Sequence, residues 1–163
     1  MNAKEMIMKC SIARTFAMAA VAALALVTAP TAKADDKGCS NTTLGGTFAY
    51  TSTGFITAPP SLAGPFAETG TQYFDGKGGT NATLMLSQNG NIVPATVTGT
   101  YTVNADCTGT MTLQVSPIGV TVDVFFVVDN IVNGSGNGFQ AIETDTGFVI
   151  TRIGRRLVPG GVI

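Results

Sequence analysis

The chain has 163 residues, with nine basic and ten acidic side chains and neither histidine nor tryptophan. Without histidine, Ser-His-Asp and Cys-His catalysis, most zinc sites and the usual proton shuttle near neutral pH are excluded. Nucleic acid is excluded as a partner too, because phosphate neutralisation by a stripe of Lys and Arg supplies most of that affinity, and no such stripe exists here.

In chain order, Lys4, Lys9 and Arg14 precede an uncharged run over residues 15–27, which is followed by Ala32-Lys33-Ala34. That is the order of a signal peptide: positive region, apolar region, small-x-small cleavage site. Thirteen helical residues would span about 20 Å, short of the roughly 30 Å hydrocarbon core. The sequence therefore predicts a signal peptide over 1–34, cut after Ala34, and a single mature domain over 35–163 that is secreted or periplasmic. Cys39 follows Asp36-Lys37-Gly38, which disfavours lipid anchoring, and no later segment is apolar enough for a helical membrane span. The mature segment keeps five basic and nine acidic residues, a net charge of −4.

Cys10 leaves with the signal, so Cys39 and Cys107 remain as an even pair in an oxidising compartment. A disulfide is the default reading. Two metal-binding thiolates are the weaker alternative, with no histidine and no CxxC spacing to support them.

The mature segment holds all 20 glycines and many threonines, and it lacks helical periodicity. Asp75-Gly76-Lys77-Gly78, Asn89-Gly90-Asn91, Cys107-Thr108-Gly109 and Asp145-Thr146-Gly147 read as turns. Between them lie eight candidate strands, over residues 47–57, 66–74, 80–88, 95–104, 109–116, 121–128, 138–144 and 148–156. Alternation is clearest from 95 to 104, where four threonines share one face. Short connections favour sequential antiparallel pairing, and closure removes the exposed edges, which predicts an all-β, up-and-down, calycin-like barrel. The segment 57–65, with Pro59, Pro60 and Pro65, reads as an exposed crossover or lid-like loop, and 129–137 as a mobile Gly/Asn loop. Gly160-Gly161 reads as a frayed tail.

Four stretches resemble a largely uncharacterised family of small secreted proteins of soil bacteria. They are Cys39-Ser40-Asn41-Thr42-Thr43-Leu44, Gly64-Pro65-Phe66-Ala67, Phe74-Asp75-Gly76-Lys77-Gly78, and the run from Gly99 through Asn104-Ala105-Asp106-Cys107-Thr108-Gly109 to Thr110. The resemblance implies one barrel loosely related to calycins such as lipocalins and to the allene oxide cyclase barrel. It also implies that the two cysteines pair, and it offers no established catalytic residues to carry over.

Counting faces places Glu68 with Phe66 and Phe74, Asp123 with Phe125 and Val127, Glu143 with Phe139 and Ala141, and Arg152 with Phe148 and Ile150. Unpaired charges on an inward face are costly, so Glu143 and Arg152, near-diagonal across the last hairpin, are expected to pair. In the functional reading Glu68, Tyr101, Asp123, Glu143 and Arg152 line a pocket, whereas in the plain reading the charges sit near strand ends and reach solvent while aromatic residues fill the interior. No cofactor and no metal are expected. The sequence leads to a non-enzymatic secreted barrel that binds a small apolar ligand or serves as an extracellular structural or interaction module. The alternatives are a barrel cyclase or isomerase and a surface adhesin-like domain.

Overall fold

The computed structural model describes residues 38–158. The expected signal segment and the Gly160-Gly161 tail lie outside the described residues. A short helix, α1 (Asn41–Leu44), precedes eight strands: β1 (Gly46–Ile56), β2 (Gly64–Phe74), β3 (Gly79–Gln88), β4 (Asn91–Val103), β5 (Thr108–Ser116), β6 (Val120–Val132), β7 (Ser135–Glu143) and β8 (Phe148–Arg156). Each strand pairs antiparallel with the next and β8 pairs with β1, giving the all-β closed up-and-down barrel that the alternation predicts. Among the described residues no sheet edge is left open to another chain.

Most strand boundaries fall within two residues of the sequence reading, but the start of β4, the end of β6 and the start of β7 differ by more. Strand β4 begins at Asn91 and runs through Pro94, and β2 includes Pro65. Both prolines are tolerated because each lies just beyond one of its ladders: β4 pairs with β5 only from Thr96, and β2 with β3 only from Phe66. The expected mobile loop over 129–137 is instead the end of a hairpin, with Ile131 opposite Gly136 and Val132 opposite Ser135. The turn is Asn133-Gly134, with φ of 51° and 77°. Two successive positive φ values are what a two-residue hairpin connection requires, and Asn-Gly supplies them at little steric cost.

The two ends of the barrel are built differently. At the end where β1 begins, Phe48, Phe74, Tyr101 and Phe139 meet largely edge-on, with ring centroids 5.0–5.8 Å apart. Room for Phe139 comes from Gly154, where an added Cβ would stand 2.1 Å from the ring. Helix α1 closes this end, burying Leu44 completely. Arg156 holds the helix down: its guanidinium donates to the carbonyls of Thr43, Gly45 and Gly136 and stacks 4.7 Å from the Phe48 ring. The Cys39–Cys107 disulfide, with Cα atoms 4.9 Å apart, ties the segment before the helix to the β4–β5 turn.

The cross-link closes a loop across a sequence separation of 68 residues. Replacing both cysteines by serine is expected to lower unfolding free energy by about 4 kcal/mol through the greater freedom of the unfolded chain. Urea denaturation of the two proteins checks this, and the far-ultraviolet circular dichroism of the folded states should coincide.

Candidate functional site

At the opposite end, where the β1–β2, β3–β4, β5–β6 and β7–β8 connections lie, the barrel opens into a funnel. Its wall is apolar, formed by Ile56, Phe66, Leu86, Val97, Val122 and Ile150 among others, and the β1–β2 connection contributes Leu62 at the rim. That connection is tethered by Gln88 Nε2, which donates to the Leu62 carbonyl, and by the Thr57 amide, which donates to Gly147 O at 2.7 Å. The funnel measures about 480 Å³ including the part open to solvent, of which about 40 Å³ is wide enough for water.

Its floor is charged. Ser52 of β1 lies directly opposite Glu68 of β2 on one side and Arg152 of β8 on the other, so register alone brings the three together. Arg152 Nε donates to Ser52 Oγ (2.9 Å), Ser52 Oγ donates to Glu68 Oε1 (2.8 Å), and Arg152 Nη2 donates to the same oxygen (2.8 Å). The guanidinium also stacks over the Tyr50 ring at 4.7 Å, a cation–π contact made in a desolvated setting. Glu143 of β7, diagonal to Arg152, places Oε1 3.9 Å from Nη2. All three ionic side chains are at most 6% exposed.

The cluster is incompletely satisfied. Glu143 Oε2 and the Tyr50 hydroxyl are buried without a hydrogen-bond partner among the described residues. Burial is the main reason the Glu143 carboxyl is pushed up to about 7; Arg152 opposes the shift, while Glu68 and Asp145 add to it. Desolvation likewise raises the Tyr50 hydroxyl, so it stays protonated.

Of the sequence candidates, Glu68, Glu143 and Arg152 converge here. The expected Glu143–Arg152 contact exists, but the shorter pairing is Arg152 with Glu68. These three charges are buried and lie outside the aromatic half of the barrel, whereas the plain reading, in which the charges reach solvent, describes Asp123. Tyr101 faces inward but stands at that plugged end, where its hydroxyl accepts from the Gly76 amide (3.0 Å) and donates to Asn41 O (3.1 Å). Asp123 faces outward, accepting from Thr112 Oγ1 at 2.6 Å. Both faces of β6 carry large apolar side chains, Val122, Val124, Phe126 and Val128 inside and Phe125 and Val127 outside, so apolar bulk did not mark the inner face. Ser52 and Tyr50 were missed, although they alternate in step with Phe48 on β1 and so were legible as inward residues.

Among the described residues no group of three or more His, Cys, Asp or Glu side chains is arranged to hold a metal, and no helix is long and apolar enough to cross a membrane. No protein-family model matches the chain, and no curated protein or solved structure is significantly similar to it. Its class is that of a closed eight-stranded antiparallel barrel.

Arg152→Met is expected to destabilise the fold by about 3–5 kcal/mol near pH 7.5, because it leaves Glu68 buried without its countercharge; urea unfolding measures this, and Glu68→Gln in the same chain should recover part of the loss. The raised Glu143 pKa has its own signature. A carboxyl that holds its proton more tightly when folded contributes stability that is complete below about pH 4.5 and lost as pH rises towards 7. Unfolding free energy should therefore fall across that window in the wild type, and Glu143→Gln should flatten the slope.

Proposed function

We propose that the protein is an exported, non-catalytic binding barrel that takes a small, largely apolar molecule bearing one polar group into its open end. One observation carries this reading: the end closed by α1 is packed with aromatic rings, while the other end is an apolar funnel over a buried polar floor that retains two unpartnered polar atoms. A few convergent polar groups within an apolar wall are the usual composition of a small-molecule site. The free space wide enough for water holds only a few molecules of it, so a larger ligand enters by turning rim side chains outward. Leu62, Phe66 and Phe148 are partly exposed at this rim and Ile118 is exposed.

Export rests on the signal-like order of residues 1–34 and agrees with the Cys39–Cys107 bridge, which is expected in an oxidising compartment. The mature chain is then 35–163, in the periplasm or outside the cell. The resemblance to small secreted barrel proteins points the same way.

Titration with the neutral fluorophore N-phenyl-1-naphthylamine tests the reading. Saturable, one-to-one fluorescence enhancement is expected, and Ile118→Arg at the rim should weaken it roughly tenfold by removing apolar contact. Enhancement that does not saturate, or that Ile118→Arg leaves unchanged, would count against the funnel as the site.

A further inference from the structure

Resting on the binding reading above, we infer that the polar group of the ligand is a protonated amine, which docks on the free oxygen of Glu143 at the floor of the funnel. The floor holds two carboxylates and one guanidinium, all nine-tenths or more buried. Arg152 is committed to Glu68 and Ser52 by two bonds of 2.8 and 2.9 Å and stacks on Tyr50. Glu143 receives only the longer, 3.9 Å approach, and its Oε2 has no partner. A surplus carboxylate in an apolar enclosure is an electrostatic deficit that a cation relieves and an anion worsens. An alkylammonium fits that deficit: its N–H groups donate to Oε2, its charge balances the cluster, and its apolar part lies against Phe66, Leu86, Val122 and Phe148.

Once Glu143 is ionised, above about pH 7, a carboxylate ligand would face both Glu68 and Glu143, and a neutral alcohol would leave the charge imbalance in place. The groups facing Glu143 are Arg152 from β8, Glu68 from β2, Asp145 from the β7–β8 turn and the Tyr50 hydroxyl from β1. Arg152 is the only cation of that set. Because the Glu143 carboxyl is raised to about 7, an amine must displace its proton, and affinity should grow as pH rises through neutrality while the amine itself stays charged.

Hexylamine, 1-hexanol and hexanoate share one apolar chain and differ in the head group. Each is titrated into ¹⁵N-labelled full-length mature protein and followed by amide chemical shifts. At pH 8 hexylamine should bind roughly tenfold or more tighter than 1-hexanol, a preference of about 1.4 kcal/mol, with hexanoate weakest. The preference should shrink at pH 5.5, and calorimetry at pH 7 in two buffers of different ionisation enthalpy should show proton release on binding hexylamine. Glu143→Gln, once its amide spectrum shows a folded barrel, should bring hexylamine affinity down to that of 1-hexanol. Equal affinities for hexylamine and hexanol at pH 8, or a preference for hexanoate, would overturn the amine assignment while leaving a funnel that binds apolar chains. If none of the three binds at the funnel and N-phenyl-1-naphthylamine does not either, the binding reading itself falls.

Discussion

In a sheet closed on itself, each strand sends every second side chain into one shared lumen, so the interior must be filled by residues from all eight strands together. That constraint organises this barrel. Large rings occupy one half because Gly154 gives up its side chain to Phe139, as Gly109 does to Phe126. The other half receives Ile, Val and Leu side chains and a charged layer, which together leave a funnel.

The charged layer sits at the boundary between the filled and open halves. A buried ion pair seldom stabilises a fold more than well-packed apolar residues would, since desolvation offsets most of the Coulomb attraction. What the pair does here is fix geometry. Ser52 bridges Glu68 and Arg152 from the strand between them, and Tyr50 supports the guanidinium from below, so the head of Arg152 has little freedom left. Glu143, outside that interlocked set, keeps an unused oxygen and a carboxyl that titrates near neutrality. The asymmetry between the two carboxylates gives the floor its chemistry.

The three C-terminal arginines show how one strand serves three ends. Arg152 faces in and joins the floor, Arg155 faces out, 65% exposed, beside Asp129 at 3.6 Å, and Arg156 faces in at the far end to hold α1. In the sequence they look like a small basic cluster. Alternation separates Arg155 from its two neighbours, and the length of β8 separates Arg152 from Arg156. Among the described residues the helix, the disulfide and Arg156 close one end, and the open end leads inward past Leu62, Phe66, Ile118 and Phe148.

Strand number, order and the inward faces of β2, β7 and β8 were readable from the residues, because hydrophobic alternation with a period of two and turn residues at short intervals are local properties. The same local signals named Glu68, Glu143 and Arg152 as inward. They failed where two faces looked alike, as on β6, where Asp123 stands outside, and where a polar loop composition concealed a tight Asn-Gly hairpin. What only the tertiary structure decided is depth and partnership. Tyr101 and Arg152 both face the lumen, but the stagger of the strands puts one at the plugged end and the other beneath the funnel. Closure of β8 onto β1 is what sets Arg152 beside Ser52, 100 positions away, and thereby beside Glu68, 84 positions away. Side-chain direction is set residue by residue along a strand, whereas height and neighbours within the lumen depend on how all eight registers combine.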